Sequence, residues 1–341
     1  MLMKNNGRSY IYGLAALLMA LSGGTPAFSK DQAPKNIKEQ IDSIQNLIKQ
    51  KGGKWVAGET SLSNLSKEEW RMRVGLNFKA LNAPALPELA AVNPPVSLDW
   101  RNSNGSYVTG IRNQAKCGSC WAFSLTAALE SYILINRNTP GADLDLSEQV
   151  MLSCSGVGSC SGGYLEADYL QSNGLPPETA YPYTATDGDC SSASTGWQSS
   201  AYKIKSWGTV PQSPAYIKSA LVAYGPLPTG FMVYEDFMHY KSGIYSYTTG
   251  KRLGGHAVLI VGYNDTENYF IVKNSWGPGW GEDGFFKIAY SEVDNAVNFG
   301  MSTIAYKADS HNPFPVPDVR FNSEDTWART APLFAPLLQW K

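Results

Sequence analysis

Histidine is scarce in this chain, with only three among 341 residues, at positions 239, 256 and 311. Runs of basic residues are missing too: none is longer than a pair and the net charge is −1. That excludes the electrostatic footprint of a nucleic-acid-binding protein. Beyond the first two dozen residues no segment approaches the roughly 18 consecutive apolar residues of a membrane span, and no internal repeat is present. Cysteine is sparse, five residues, none of them before Cys117. What remains is a chain 43% hydrophobic and 12% aromatic, enough to bury a core in about two domains of ordinary size.

The N-terminus has the three-part layout of an export signal. Lys4 and Arg8 precede the apolar run "IYGLAALLMAL" (11–21), and small and turn residues follow up to "TPAFSK". Ala27 and Ser29 offer the small-x-small pattern of a cleavage site, so residues 1–29 are expected to be a signal peptide cut after Ser29. The expected location is secreted, periplasmic or otherwise extracytoplasmic, a lysosome-like compartment in a eukaryote, with no stable membrane anchor after cleavage. In an exported protein five cysteines imply disulfides and one thiol left over.

Residues 30–92 differ in texture from the rest, being rich in Lys, Gln and Asn. Ile37, Ile41, Ile44, Leu47 and Ile48 fall on one face at 3.6-residue spacing, and Ser66 with Glu69 forms a capping-box pattern ahead of Trp70 and Val74. The stretch "ALNAPALPELAAVNPP" then reads as an exposed linker, so a detachable N-terminal segment is expected. Residues 93–307 read as one compact domain. Its first half is helical: "CWAFSLTAALESYILIN" puts Leu125, Ala128, Leu129, Tyr132 and Ile133 on one stripe, and Ser147 can cap a helix through "LSEQVMLSC". Its second half is β-rich, with "HAVLIVGY", "NYFIVKNSW" and "GFFKIAY" broken by turns. The fold class is α+β, in two subdomains with a site expected in the cleft between them. Residues 308–341, with Pro313, Pro315, Pro317, Pro332 and Pro336, form an aperiodic C-terminal extension of unknown role.

Three chemistries fit "QAKCGSCW" (114–121). A redox pair would need a small α/β fold around the two cysteines. Half of a zinc site would need a second closely spaced pair of ligands, and no His stands near Cys154 and Cys160. A nucleophile would place Cys120 in the first turn of a helix, where unpaired N–H groups favour the thiolate. Its proton carrier must be a histidine. His239 lies among large side chains in "DFMHYK" and reads as packing or surface, His311 lies in the tail, and His256 in "GGHAVLIVGY" stands at the mouth of a strand. Asn274 in "KNSWGPGWG" can orient that imidazole, with Trp276 shielding the pair from water. Gln114 can point its amide at a developing oxyanion.

Through these residues the sequence resembles the papain family (C1-type) of cysteine peptidases. The resemblance implies a papain-like fold with a helical left half and an antiparallel, β-barrel-like right half. It assigns Cys120 as nucleophile, His256 as acid and base, Asn274 as orienting residue, and Gln114 with the Cys120 N–H as oxyanion hole. "CSGGY" resembles the cleft wall, where Gly162 and Gly163 would pair with an extended substrate. Tyr164, Ala257 and Gly230 would line the S2 pocket, Trp276 would cover the pair, and Trp280 would flank the primed side. Family pairing implies the disulfides Cys117–Cys160 and Cys154–Cys190, leaving Cys120 free. "GGKWVAGE" (52–59) resembles the W-x-A-G element of cathepsin B-type propeptides, lying through the cleft in a non-productive direction until cleavage within 84–95. No long His-containing insertion separates Cys160 from Cys190, so endopeptidase rather than dipeptidase activity is expected, with processing at mildly acidic pH. No cofactor or metal is implied. The implied partners are peptide and protein substrates, the chain's own propeptide and cystatin-like inhibitors. The alternatives are a catalytically inactive papain-like binding module and a thiol–disulfide oxidoreductase using Cys117 and Cys120.

Overall fold

A computed structural model describes residues 36–81, 83–86 and 94–308. The expected signal peptide and the extension from 309 onward lie outside the described residues, as does most of the interval expected to be cleaved.

The N-terminal segment contributes α1 (Ile37–Gln50), β1 (Lys54–Ala57) and α2 (Lys67–Arg71). The isoleucine stripe does what its spacing predicts: Ile44 and Ile48 are buried and Ile41 packs beside them. The capping box is also formed, with Ser66 Oγ accepting from Glu69 N and Glu69 returning a bond to Ser66 N. Then come β2 (Ser97–Asp99), α3 (Cys120–Arg137), α4 (Glu148–Cys154), the two-residue strands β3 (Gly158–Ser159) and β4 (Gly162–Gly163), and α5 (Asp168–Ser172). The second half holds β5 (Ser206–Thr209), α6 (Pro214–Tyr224), β6 (Leu227–Tyr234), β7 (Tyr240–Tyr245) and β8 (Arg252–Asn264). It closes with β9 (Tyr269–Lys273), β10 (Phe285–Ala289) and β11 (Ile304–Lys307).

A seven-stranded sheet runs β1-β7-β10-β9-β8-β2, and β6 also pairs with β8. Strand β8 can serve three partners because it is 13 residues long and changes register against β9 between Ile260 and Gly262. Such a bulge bends a strand, and the sheet curls into a half-barrel. At its edge β1 pairs with β7, setting Trp55 opposite Gly243. Gly243 has φ +90°, and a Cβ there would meet Lys54 O at 2.4 Å. Only glycine lets the N-terminal segment dock this closely.

Helix α3 departs from the one-stripe expectation: every residue except Ala127, Asn136 and Arg137 is buried. The reason is its place between layers, with α4 on one side and β8 on the other. A helix covered on both sides loses its polar face. It still carries Glu130, 1% exposed, whose carboxylate accepts from Leu146 N at 2.9 Å and from the Thr109 hydroxyl. Lys273 Nζ of β9 donates to the same Thr109 hydroxyl at 2.9 Å. This buried polar chain ties the helical half to the sheet.

The proline- and alanine-rich stretch is not simply an exposed linker. Thr209 N donates to Pro84 O at 2.9 Å, Leu86 N donates to Thr209 O at 3.3 Å, and Leu86 is buried over Gly208. A Cβ on Gly208 would lie 2.6 Å from Leu86 Cδ2. One leucine with a groove to fill overrides the composition around it.

Candidate active site

Cys120 is the first residue of α3 and the one free cysteine among the described residues. Cys117 is joined to Cys160 and Cys154 to Cys190. Cys117 is therefore unavailable as a redox partner for Cys120, and the two pairs are committed to bridges rather than to a metal.

His256 enters on β8 and Asn274 directly follows β9, the strand paired with β8. The ring Nε2 lies 2.8 Å from Asn274 Oδ1. Asn274 Oδ1 also accepts from Ser275 N at 2.8 Å, which identifies it as the oxygen. Nε2 must then carry the proton, leaving Nδ1 unprotonated and able to accept one. Trp276 stacks on the imidazole, with centroids 4.5 Å apart and planes at 26°, and so covers one face of the ring. Gln114 is fully buried; its Oε1 accepts from Ser275 Oγ at 2.7 Å and its Nε2 donates to Cys117 O at 2.8 Å. Ser275, which no sequence pattern singled out, thus joins Asn274 to Gln114.

The N-terminal segment occupies this site. Gln114 Nε2 donates to Arg73 O at 3.2 Å, and Gly75 N donates to Cys120 Sγ at 3.4 Å. An acyl substrate must bring one carbonyl to both places, its carbon to the sulfur and its oxygen to the amide. Here two consecutive peptide units, on either side of Val74, divide those places, and an N–H faces the sulfur. Leu76 bridges Gly163 in the parallel sense, with Gly163 N donating to Gly75 O at 2.9 Å and Asn77 N donating to Gly163 O at 2.8 Å. A Cβ on Gly75 would lie 1.9 Å from Gly118 O, so only glycine passes here. In the sequence its sole signal is being the single glycine between Gly58 and Gly105.

The other expected residues fall into two groups. Leu76 sits against Gly230, where a Cβ would meet its Cδ2 at 2.3 Å, and Lys79 Nζ lies 4.4 Å from the centre of the Tyr164 ring. Gly162 has φ +124° and lies under Asn77 and Gly75 O. Ala257 is buried opposite Gly230 in the β6–β8 ladder, and its N–H favours the Cys120 thiolate. Trp280 is fully buried, packed on Phe237 and Trp276, so with the N-terminal segment in place it forms the floor beneath Trp276.

Burial sets the charge state. It pushes the Cys120 thiol up to about 11, against the N–H groups of Ala257, Gly75 and Trp121. It pushes the His256 imidazole down to about 4, opposed by its bond to Asn274 and by the Arg73 backbone. Both groups are neutral while the segment lies over them.

The sequence matches the papain family of cysteine proteases over residues 94–307. Similar curated proteins include human cathepsin L2, 36% identical over 262 residues (72% of this chain, 75% of that protein). Ananain of Ananas comosus is 31% identical over 279 residues, 79% of this chain and 77% of that protein. Among solved structures, the digestive procathepsin L2 proteinase of Tenebrio molitor superposes with a TM-score of 0.67 at 31% identity, covering 80% of this chain and 91% of that one. ProCathepsin B S9 of Trypanosoma congolense superposes with a TM-score of 0.69 at 25% identity, covering 81% of this chain and all of that one. The chain belongs to the papain family of cysteine proteases. It is a cysteine endopeptidase in zymogen form, and its N-terminal segment is an intramolecular propeptide.

The oxyanion assignment has a direct check. In the processed enzyme, Gln114→Ala is expected to lower kcat for a peptide amide by about 100-fold or more, the loss typical of one oxyanion donor. Stopped assays with active-site titration measure it, and a loss under threefold refutes the assignment.

Proposed function

We propose that Cys120 attacks the scissile carbonyl, that His256 Nδ1 takes the thiol proton and later returns it to the leaving amine, and that Asn274 holds the ring for both transfers. Gln114 Nε2 and the Cys120 N–H receive the oxyanion. Water then hydrolyses the Cys120 thioester, with His256 as base. Residues 93–307 are the peptidase domain, residues 30–92 the propeptide removed by cleavage within 84–95, and residues 1–29 an export signal. The enzyme acts outside the cytoplasm without a membrane anchor, and among the described residues no helix is long and apolar enough to cross a membrane. Its open cleft takes protein substrates and cystatin-like inhibitors. Residues 308–341 are an extension outside this activity.

The observation that carries this reading is the placement of Arg73 O on Gln114 and of Gly75 N on Cys120, because an inhibitory segment marks the groups it must silence. It also suggests a specificity. Leu76, 4% exposed, fills the space that Gly230 leaves open, beside Met301 O. Gly162, Gly163, Tyr164, Gly230 and Ala257 are substrate-binding residues, and the enzyme prefers a leucine-sized aliphatic residue two positions before the cut.

The processed enzyme, treated with an epoxysuccinyl peptide and mapped by mass spectrometry, is expected to carry the label on Cys120 alone. A peptide library is expected to show leucine enriched at that position, and Gly230→Val to reduce kcat/KM for leucine substrates at least about tenfold by filling the pocket. Absence of label together with absence of hydrolysis defeats the whole reading. A flat library defeats only the specificity.

A further inference from the structure

Tyr183 belongs to none of the motifs above. It follows the 3-10 turn Glu178–Ala180, and two contacts fix it. Its N–H donates to Glu178 Oε1 at 2.6 Å, and its ring meets Phe123 of α3 edge-on, centroids 4.8 Å apart at 90°. The hydroxyl is thereby delivered between two residues of the catalytic loop. It lies 2.9 Å from Gln114 O and 2.6 Å from Ser119 Oγ.

The proton count orders these bonds. A carbonyl only accepts and a phenol has one proton, so Tyr183 donates to Gln114 O and accepts from the Ser119 hydroxyl. The chain runs from Ser119 Oγ–H through Tyr183 O–H to the Gln114 carbonyl.

Ser119 makes this arrangement informative. It is the N-cap residue of α3, where a serine oxygen ordinarily accepts from the N–H two or three residues on. Here it makes no such bond, and its backbone sits at φ −95°, ψ 15° instead of the extended region usual for a cap. Its carbonyl still serves Ala122 N and Phe123 N. The Trp121 N–H, two residues on, is therefore not taken by the serine side chain. One tyrosine hydroxyl thus holds the backbone of Gln114 and draws the Ser119 hydroxyl off the start of α3.

We propose that Tyr183 is a positioning residue for the oxyanion hole, setting the Gln114 amide and the Cys120 N–H at the separation the tetrahedral oxygen requires. This rests on the roles given above to Gln114 and Cys120. Burial keeps the phenol protonated, its ionisation pushed far above the ordinary tyrosine value, so the clamp does not switch with pH.

Positioning makes a demand that general packing does not. Alkylation of the thiolate develops no oxyanion, whereas amide hydrolysis and aldehyde binding both place an oxygen in the hole. Tyr183→Phe keeps the ring on Phe123 and deletes only the hydroxyl. Ser119→Ala keeps the bond to Gln114 and removes the donor behind it.

The experiment measures, on processed and active-site-titrated enzyme, kcat and KM for a peptide amide, Ki for a peptide aldehyde and the rate of Cys120 alkylation by iodoacetamide. For Tyr183→Phe the expected result is a fall of about ten- to thirtyfold in kcat with KM unchanged, smaller than deleting a donor itself. Aldehyde affinity should fall by the same factor, and alkylation should stay within twofold from pH 5 to 8. For Ser119→Ala the same pattern is expected at about three- to fivefold. The proposal is overturned if kcat holds within twofold in both variants, or if alkylation falls in step with hydrolysis. Should Tyr183→Phe not fold, Ser119→Ala decides alone. Gln114→Ala is the reference: full activity there removes the oxyanion reading itself, whereas a loss there without one in the Tyr183 and Ser119 variants removes only this proposal.

Discussion

Iodoacetamide is expected to modify Cys120 at least about a thousandfold more slowly in the precursor than in the processed enzyme at pH 7. The thiolate is the nucleophile in this reaction, so the rate follows ionisation and access. In the precursor both are denied. Cys120 has no exposed surface, and the Gly75 N–H stands 3.4 Å from the sulfur. A thiol at about 11 is ionised in roughly one molecule in ten thousand at pH 7. An imidazole at about 4 is neutral there and supplies no cation to stabilise the thiolate. Removing the propeptide returns water to both groups and takes away the desolvation that held the two values apart, so thiol and imidazole can exchange their proton.

The same contacts predict how to break the seal. Gly75→Ala would place a methyl carbon 1.9 Å from Gly118 O, with only backbone on the far side to yield. The propeptide must lift. Its precursor is expected to be labelled at a rate approaching that of the processed enzyme, while wild-type precursor stays unlabelled over the same minutes. Labelling followed by mass spectrometry on Cys120→Ala as blank and on both precursors measures this. Equal rates for precursor and processed wild type would show that the segment does not shield the sulfur.

How much of this was legible in the sequence depends on the range of the interactions. Cys120, His256 and Asn274 could be picked out as candidates because each sits in a short stretch with distinctive neighbours. Cys120 opens an apolar helix, His256 follows two glycines in a β-rich run, and Asn274 follows another; the structure begins β8 earlier than expected, at Arg252, so His256 lies inside the strand rather than at its mouth. The capping box of Ser66 and Glu69 was legible for the same reason, since its partners are three residues apart. Residues whose partners lie far along the chain were not. Tyr183 reaches Gln114 across 69 positions and Gly75 reaches Cys120 across 45, and neither distance leaves a periodicity to read. Helix α3 was assigned one buried stripe because a sequence window cannot show that a second layer, β8, will cover its other face. Leu86 sat in a composition typical of linkers, and only the groove over Gly208 explains its burial.

The sequence leaves His239 as packing or surface; the structure buries it, and that packing has a consequence for activation. It ends the 3-10 turn Glu235–His239, is fully buried, and receives the propeptide from several directions. Its Nδ1 lies 2.9 Å from Ser63 Oγ, Trp70 meets its ring edge-on at 5.6 Å, and its carbonyl accepts from Gly58 N at 2.9 Å. Its Nε2 has no hydrogen-bond partner among the described residues. Burial alone pushes the imidazole down to about 4. The charged groups on its own turn are engaged elsewhere, Glu235 with Lys67 and Asp236 with Tyr245, Thr248 and Thr249. The sign follows from the lowered value. The covered state favours the neutral ring, so docking is at full strength above about pH 6.5 and weakens as pH falls toward 4. At pH 5 the loss amounts to about 2 kcal/mol, roughly thirtyfold in propeptide affinity, if release restores the ring to its ordinary value. Asp236, pushed up to about 6 by burial, titrates in the same window with the opposite sign, since its folded state favours the neutral acid. Its three partners lie outside the propeptide, but Thr248 also receives Lys51 and Trp55 of the propeptide, so the histidine's share is isolated by comparing precursors that differ at His239 alone. In a Cys120→Ala precursor cut in trans by added processed enzyme, cleavage is therefore expected to be about thirtyfold faster at pH 5 than at pH 7.5 after correction for the enzyme's own pH profile. His239→Gln, which keeps a bond to Ser63 but cannot charge, is expected to remove most of that difference while matching wild type at pH 7.5. Superimposable pH profiles for the two precursors would assign the acid response to other groups.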